Sequence, residues 1–242
     1  MKNRAELYAS GIDKLLKYKF AQKRMTGWFE YQELKMEVRR KFANPDAPEH
    51  QPAILCECIR RMKLSIPAGS VIAGTQDDAF SPSYALINPA FQVETFAGYC
   101  DPVAIYDDLE PDAEFPRERV EKVRRYYRET PFVKALEQVY ARTGKLTQEV
   151  AFFVEPVTGH TIPDLRPILA HGIETLPFAP EAKGIRASLE AAEILAGRYA
   201  ELAEKLQQER AADPDEVLRL KGIAAACSHV PAQGARNLHE AI

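Results

Sequence analysis

The segment Val157-Thr158-Gly159-His160-Thr161-Ile162-Pro163-Asp164-Leu165 holds the residues best suited to chemistry. A strand-like run over 150–154 ends just before it, and Gly159 permits a tight turn or a close approach of backbone. His160 is then presented on a strand-to-helix loop, where an imidazole suits proton transfer near neutral pH. The other reading of His160 is a structural side chain that hydrogen-bonds its own turn. Asp164 is placed to cap a following helix, whose first turn tolerates Pro167. A second loop, Gly74-Thr75-Gln76-Asp77-Asp78, lacks the glycine spacing and lysine of a phosphate-binding loop. Its polar side chains suit contact with a polar ligand, or simple solvation. His160, Thr75 and Gln76 are the candidate substrate-binding residues, and His160 is the candidate acid/base.

Other chemistry-bearing residues are better explained structurally. The stretch Asp101, Asp107, Asp108, Glu110 and Asp112 lacks the glycine and the bidentate glutamate of a calcium loop. The four cysteines are Cys56, Cys58, Cys100 and Cys227. Cys56 and Cys58 sit two apart on a predicted helix, so their side chains diverge and no shared metal is expected. Cys58 and Cys227 fall on apolar faces and read as core. No metal site is expected, and no Ser-His-Asp or Cys-His arrangement assembles from the sequence. His171, before Gly172, reads as a helix C-terminus.

The elements that position these residues follow from pattern. The chain has 242 residues, 46% hydrophobic and 28% charged, with a net charge of −3. That composition predicts a globular protein of about one to two domains, not a strongly basic nucleic-acid binder. No apolar run is long enough for a membrane span, and the N-terminus lacks a signal core. A cytoplasmic protein with reduced thiols is expected, with no nucleic-acid or membrane partner. With 17 Pro and 12 Gly, helices joined by proline-marked loops are expected.

Helices are predicted over 5–22, 27–42 and 51–63. The second carries Trp28, Tyr31, Leu34 and Val38 on one face, and the third carries Ile54, Leu55, Cys58, Ile59 and Met62. Residues 70–110 are rich in turn formers. Ser70–Gly74 reads as a short buried strand, and Phe91, Val93 and Thr95 alternate as another. A helix starts after Pro116 with Val120, Val123 and Tyr127 inward and breaks at Thr130-Pro131. A further helical pattern then runs to Gly144. The strongest helix covers 182–210, with Ile185, Leu189, Ala192, Leu195, Tyr199, Leu202 and Leu206 in register. After Val230-Pro231, Asn237 and Glu240 make an asparagine-led capping box.

Taken in order, "VIAGTQ", "FAGYCDP", "GHTIPDLRPILAHGI", the alanine-rich helix and "LKGIAAACSHVPAQGARNLHEAI" resemble the N-terminal region of glycyl radical enzymes, the pyruvate formate-lyase-like superfamily. The most specific matches are G-H-x-x-P-D at 159–164 and I-A-x-x-C-x-x-V-P at 223–231. The resemblance implies an α/β, predominantly helical fold: the N-terminal part of a ten-stranded half-barrel, with few short strands. As one partial domain over 1–242, it divides into a helical part at 1–66, loops and a strand at 67–115, and helices with a strand at 116–242.

The same resemblance implies anaerobic lyase, dehydratase or decarboxylase chemistry. A thiyl radical abstracts a hydrogen atom, and a glycyl radical stores the spin after installation by a separate S-adenosylmethionine iron–sulfur activase. None of the four cysteines matches the thiyl position, and the radical-bearing glycine motif is not found. The chain is therefore expected to bind no cofactor itself and to be inactive alone. It would contribute scaffold and a wall of the pocket for a small-molecule substrate. Its expected partners are a C-terminal half or second subunit, the activase, and further copies of itself. In dehydratase-like members a histidine near this region helps remove the leaving hydroxyl, and His160 is the matching residue. Thr75–Ser81 departs from the usual basic, proline-rich continuation, and Leu165 replaces an aromatic; both argue against pyruvate as substrate. The alternative expectation is a non-catalytic remnant acting as a binding or assembly protein. A partial barrel further predicts poor cover for the 150–154 strand and for one side of the 182–210 helix.

Overall fold

The computed structural model describes residues 26–74, 116–131, 133–135, 138, 141–142, 164–177 and 183–241. Among these residues the chain is helical, with no strand. Helix α1 is Thr26–Arg39, α2 is Gln51–Arg61, α3 is Arg117–Arg128, α4 is Arg166–His171, α5 is Lys183–Glu209, α6 is Pro214–His229 and α7 is Leu238–Ala241. The predicted helix over 5–22 and strands at 91–95 and 150–154 lie outside the described residues.

The centre of the packing is α5, which lies against α6 on one side and α2 on the other. Tyr199 and Ala203 of α5 meet Leu220, Ile223 and Ala224 of α6, and Ile66 completes this cluster. Ala191 of α5 meets Cys56 and Ile59 of α2. Small alanines at both contacts let the helix axes approach closely. Leu220 has no exposed surface, and burial of such a side chain contributes about 1.5–3 kcal/mol. The predicted leucine stripe of α5 borders this contact: Leu195, Leu202 and Leu206 are only partly buried, and Ile185 is 61% exposed. Cover is thus thin at Ile185, near the start of α5.

Helix α1 packs on α2 through Tyr31 and Val38 against Ile54 and Cys58. It also packs on α3, whose Val120, Val123 and Tyr127 are all buried. The Tyr127 hydroxyl donates to the carbonyl of Gln32 at 2.8 Å, so this large side chain leaves no unpaired hydroxyl inside. At the predicted break, the Thr130 hydroxyl donates to the Tyr127 carbonyl at 2.7 Å and accepts from the Val133 amide at 3.4 Å. One side chain thereby closes one helix and opens the next.

Cys56 and Cys58 diverge into separate clusters as their spacing predicts, with Cys58 on the α1 side and Cys56 on the α5 side. The Cys56 thiol donates to the Ala187 carbonyl at 3.4 Å. Burial pushes the Cys58 thiol up to about 11 and raises that of Cys56, which disfavours the reactive thiolate. Cys58, which has no exposed surface, is expected to escape maleimide in the native chain at pH 7 and to react fully in denaturant. Peptide mapping after labelling checks this, and native labelling of Cys58 would contradict the packing.

One predicted element is corrected. Ser70–Gly74 is not a buried strand but a series of bends and a turn, with Val71 60% exposed. Gly69 and Gly74 have φ of 78° and 73°, so two left-handed residues bracket the run and prevent a pleated stretch. The Ser70 amide instead closes a turn onto the Pro67 carbonyl at 3.2 Å.

Candidate functional site

His160, Thr75 and Gln76 lie outside the described residues. The structure shows how the backbone adjoining them is held. Two segments matter: 62–74, which runs directly into Thr75, and 164–177, which continues from the G-H-x-x-P-D sequence.

The second segment begins with Asp164, whose carboxylate accepts from the Arg166 amide at 3.1 Å and from its guanidinium at 2.8 Å. These bonds hold the Asp164 carboxyl below its usual range. Asp164 thus serves the start of α4 as predicted, one residue ahead of the nominal cap Leu165. At the other end, Gly172 terminates α4 with φ 75° and ψ 168°, and its amide donates to the Ile168 carbonyl at 2.7 Å. The His171 carbonyl accepts from the Thr175 hydroxyl at 2.6 Å, so His171 ends the helix as expected.

The backbone after α4 then pairs with the α6–α7 connection. The Ile173 amide donates to Pro231 at 2.9 Å, Glu174 to Ala232 at 3.1 Å, and Ala235 to Leu169 at 2.8 Å. Two glycines permit this approach. A Cβ on Gly172 would lie 2.2 Å from the Ala232 carbonyl oxygen, and one on Gly234 would lie 2.4 Å from that of Ala170. His229 Nε2 donates to the Gly234 carbonyl at 2.9 Å and fixes the turn from the α6 side. The two motifs that carry the family resemblance, 159–164 and 223–231, are therefore joined through the backbone that follows each.

Beyond this joint the asparagine cap forms as predicted, with the Glu240 amide donating to Asn237 Oδ1 at 3.1 Å. Glu240 reaches back one residue further than a capping box and accepts from the Arg236 amide at 2.7 Å and its guanidinium at 2.6 Å. The Arg236 hydrogen bonds hold the Glu240 carboxyl down to about 2.

Segment 62–74 is held by side chains that the sequence did not single out. Arg198 of α5 donates to the carbonyls of Ile59 and, at 2.7 Å, Met62. Arg210, between α5 and α6, donates to the Ile66 carbonyl at 3.1 Å, and Arg219 of α6 to that of Ser70. Glu216 of α6 accepts from Arg210 at 2.6 Å, from Arg219 at 2.8 Å and from the Gly69 amide at 3.3 Å. The Arg219 bond, aided by Arg210 and the Gly69 amide against the cost of burial, holds the Glu216 carboxyl down to about 2. His239 Nε2 donates to the Val71 carbonyl at 2.8 Å, and a Cβ placed on Gly74 would lie 3.6 Å from the Tyr199 ring.

A separate open cleft of about 490 Å³ lies between α2 and the start of α5, lined by Pro52, Ala53, Cys56, Lys183 and Gly184. Glu49 and the Arg60–Glu190 ion pair, at 3.3 Å, also line it. Among the described residues no cluster of metal-ligating side chains occurs. Among them, too, no helix is long and apolar enough to cross a membrane.

Comparison with known proteins decides the family. The model of the pyruvate formate lyase-like family matches residues 5–242. The chain belongs to the pyruvate formate lyase-like family. This is the glycyl radical enzyme superfamily expected from the two motifs. Among solved structures, this family member is similar to the glycerol-bound form of the B12-independent glycerol dehydratase from Clostridium butyricum. The two share 19% identity with a TM-score of 0.60, over 88% of this chain and 30% of the other. It is also similar to a structure from Roseburia inulinivorans that concerns 1,2-propanediol dehydration. There the identity is 18% and the TM-score 0.59, over 87% of this chain and 28% of that one. The chain thus spans less than a third of the length of either structure. No curated protein matches it.

Proposed function

We propose that this chain is the N-terminal, scaffold-forming part of a glycyl radical lyase or dehydratase and supplies one wall of its substrate pocket. The family match over residues 5–242 carries this reading. The likeness to a glycerol dehydratase and to a structure that concerns 1,2-propanediol dehydration favours dehydration of a small polyol over cleavage of pyruvate. In this proposal the region beyond the described helices contributes strands to a half-barrel. The thiyl cysteine and glycyl radical come from a second chain or C-terminal half, activated by an S-adenosylmethionine iron–sulfur enzyme, and supply the hydrogen-atom abstraction.

This chain's own residues then bind substrate and move a proton. His160, as imidazolium, donates a proton to the departing hydroxyl, which leaves as water, and the neutral imidazole recovers its proton later in the cycle. Thr75 and Gln76 hydrogen-bond the substrate's remaining hydroxyl groups. The anchoring of 62–74 and 164–177 supports this reading, because these are the described segments that lead into Thr75 and follow His160.

The test is anaerobic reconstitution with a chain bearing the cysteine loop and the glycine motif, plus activase, with 1,2-propanediol or glycerol supplied. Aldehyde is expected to form only when both chains are present. His160→Ala is expected to lower kcat by about 10²–10⁴-fold, the usual contribution of a general acid, with the melting temperature unchanged. A complex that assembles but never turns over would favour the binding or assembly reading instead. Turnover by the purified chain alone would also overturn the proposal.

A further inference from the structure

We propose that Glu216, Arg210 and Arg219 form a clasp that holds segment 66–74, the chain leading into Thr75 and Gln76, against α5 and α6. The proposal rests on the reading of Thr75 and Gln76 as substrate-facing residues and identifies what holds the chain that leads into them. Segment 66–74 has no secondary structure of its own, and its Val71 side chain is exposed. Only Ile66 at its start is deeply buried, with Ala73 partly packed on the same cluster. Its carbonyls and amides find partners on side chains instead: Ile66 on Arg210, Ser70 on Arg219, and Gly69 on Glu216.

The clasp is one unit because both guanidinium groups share the same carboxylate. Arg210 uses one nitrogen on Glu216 and another on the Ile66 carbonyl, while Arg219 grips both Glu216 oxygens with Nε and Nη2 and the Ser70 carbonyl with Nη1. The rigid fork of five donors holds these directions at once, which the compact ammonium of lysine does not. The Glu216 and Arg219 side chains are only 10% and 11% exposed, so water competes little for these bonds. Glu216 also accepts from the loop directly, which locks the glycine whose left-handed φ turns the chain. Loosening this unit is expected to release the loop without disturbing the α5–α6 interface, which rests on Tyr199, Ala203, Leu220 and Ile223.

The experiment compares wild type with Arg219→Lys and with the double variant Arg210→Lys/Arg219→Lys. Lysine keeps a positive partner for Glu216 but cannot bridge to the loop carbonyl. Amide hydrogen exchange in the peptide covering 66–76 is expected to quicken about tenfold, with α5 and α6 peptides unchanged. Glu216→Gln, which retains the side-chain volume, is expected to quicken the same peptide most, with Gly69 as the sharpest reporter and a smaller rise across α5 and α6 from the lowered global stability. An unchanged 66–76 peptide, or an equal rise across α5 and α6, would overturn the clasp. In the reconstituted assembly the lysine variants are expected to raise KM severalfold while the pH profile of kcat stays in place. A KM that does not move despite a loosened segment would overturn the positioning role. If the wild-type assembly does not turn over, the reading of the substrate loop falls, and the exchange result still decides the clasp.

Discussion

Gly172→Ala is expected to lower the melting temperature by roughly 6–12 °C, at about 2–4 °C per kcal/mol for a chain of this size. The backbone at Gly172, φ 75° and ψ 168°, lies in a region essentially reserved for glycine, and forcing a Cβ into it costs about 1–3 kcal/mol. The new methyl would also sit 2.2 Å from the Ala232 carbonyl oxygen, a backbone atom that cannot swing aside as a side chain would. The two segments must separate, which weakens the bonds from Ile173 to Pro231 and from Glu174 to Ala232, each worth about 1 kcal/mol. Together these effects come to about 3 kcal/mol. Gly197→Ala provides a control of opposite sign: it lies inside α5 with nothing within 4 Å of its Cβ position. That substitution is expected to raise stability by about 0.5–1 kcal/mol through helix propensity alone. Helix melting followed by circular dichroism reads both. A Gly172→Ala chain as stable as wild type would mean that the 172–174 and 231–232 backbones are not joined.

What the sequence made visible was local. The α3 face, Tyr31 and Val38 of α1, Ile54, Cys58 and Ile59 of α2, the divergence of Cys56 and Cys58, and the Asn237 cap depend on residues a few positions apart and are found as expected. By contrast, Leu34, Leu55 and Met62 are only partly buried, and Phe29 and Met36 are buried without having been singled out. Helix α6 was missed, although Asp213-Pro214-Asp215-Glu216 carries its start signal: a capping aspartate, a proline in the first turn and acids near the positive helix end. Its interior hides the helix from a pattern search, because Glu216 is buried while Leu218 is 71% exposed. That inversion follows from the clasp, which places a carboxylate where an apolar residue is expected. Nor does any period encode the pairing of Arg219 with Ser70 or of Arg198 with Ile59, since these partners lie far apart in the chain. The short Ser70–Gly74 run looked like a strand for the same reason: its true partners are side chains on distant helices rather than a neighbouring strand. The described residues therefore bear on the frame of the candidate site, while His160, Thr75 and Gln76 remain proposals from the motifs.

Glu216→Ala is expected to cost about 3 kcal/mol at pH 7, the lower end for removing one partner of a buried ion pair. The figure sits at that end because Arg210 is 30% exposed and partly hydrated. The origin of the loss is readable from its pH dependence. In the folded chain the Glu216 carboxyl is held down to about 2 by the bond from Arg219, whereas in the unfolded chain it returns to roughly 4.3. The unfolded state therefore takes up the proton more readily between these values, and the contribution of Glu216 is complete above about pH 4.5 and fades as pH falls towards 2. The gap between wild type and Glu216→Gln should be widest at neutral pH and close across that window. Glu240 and Asp164 also have lowered carboxyl values, but they are present in both proteins and cancel in the difference. Urea midpoints at pH 7, 4 and 2.5 measure the gap directly. A gap that stays constant with pH would assign the loss to shape rather than charge, and Glu216 would then act as a filler of its site instead of the shared counter-ion of Arg210 and Arg219.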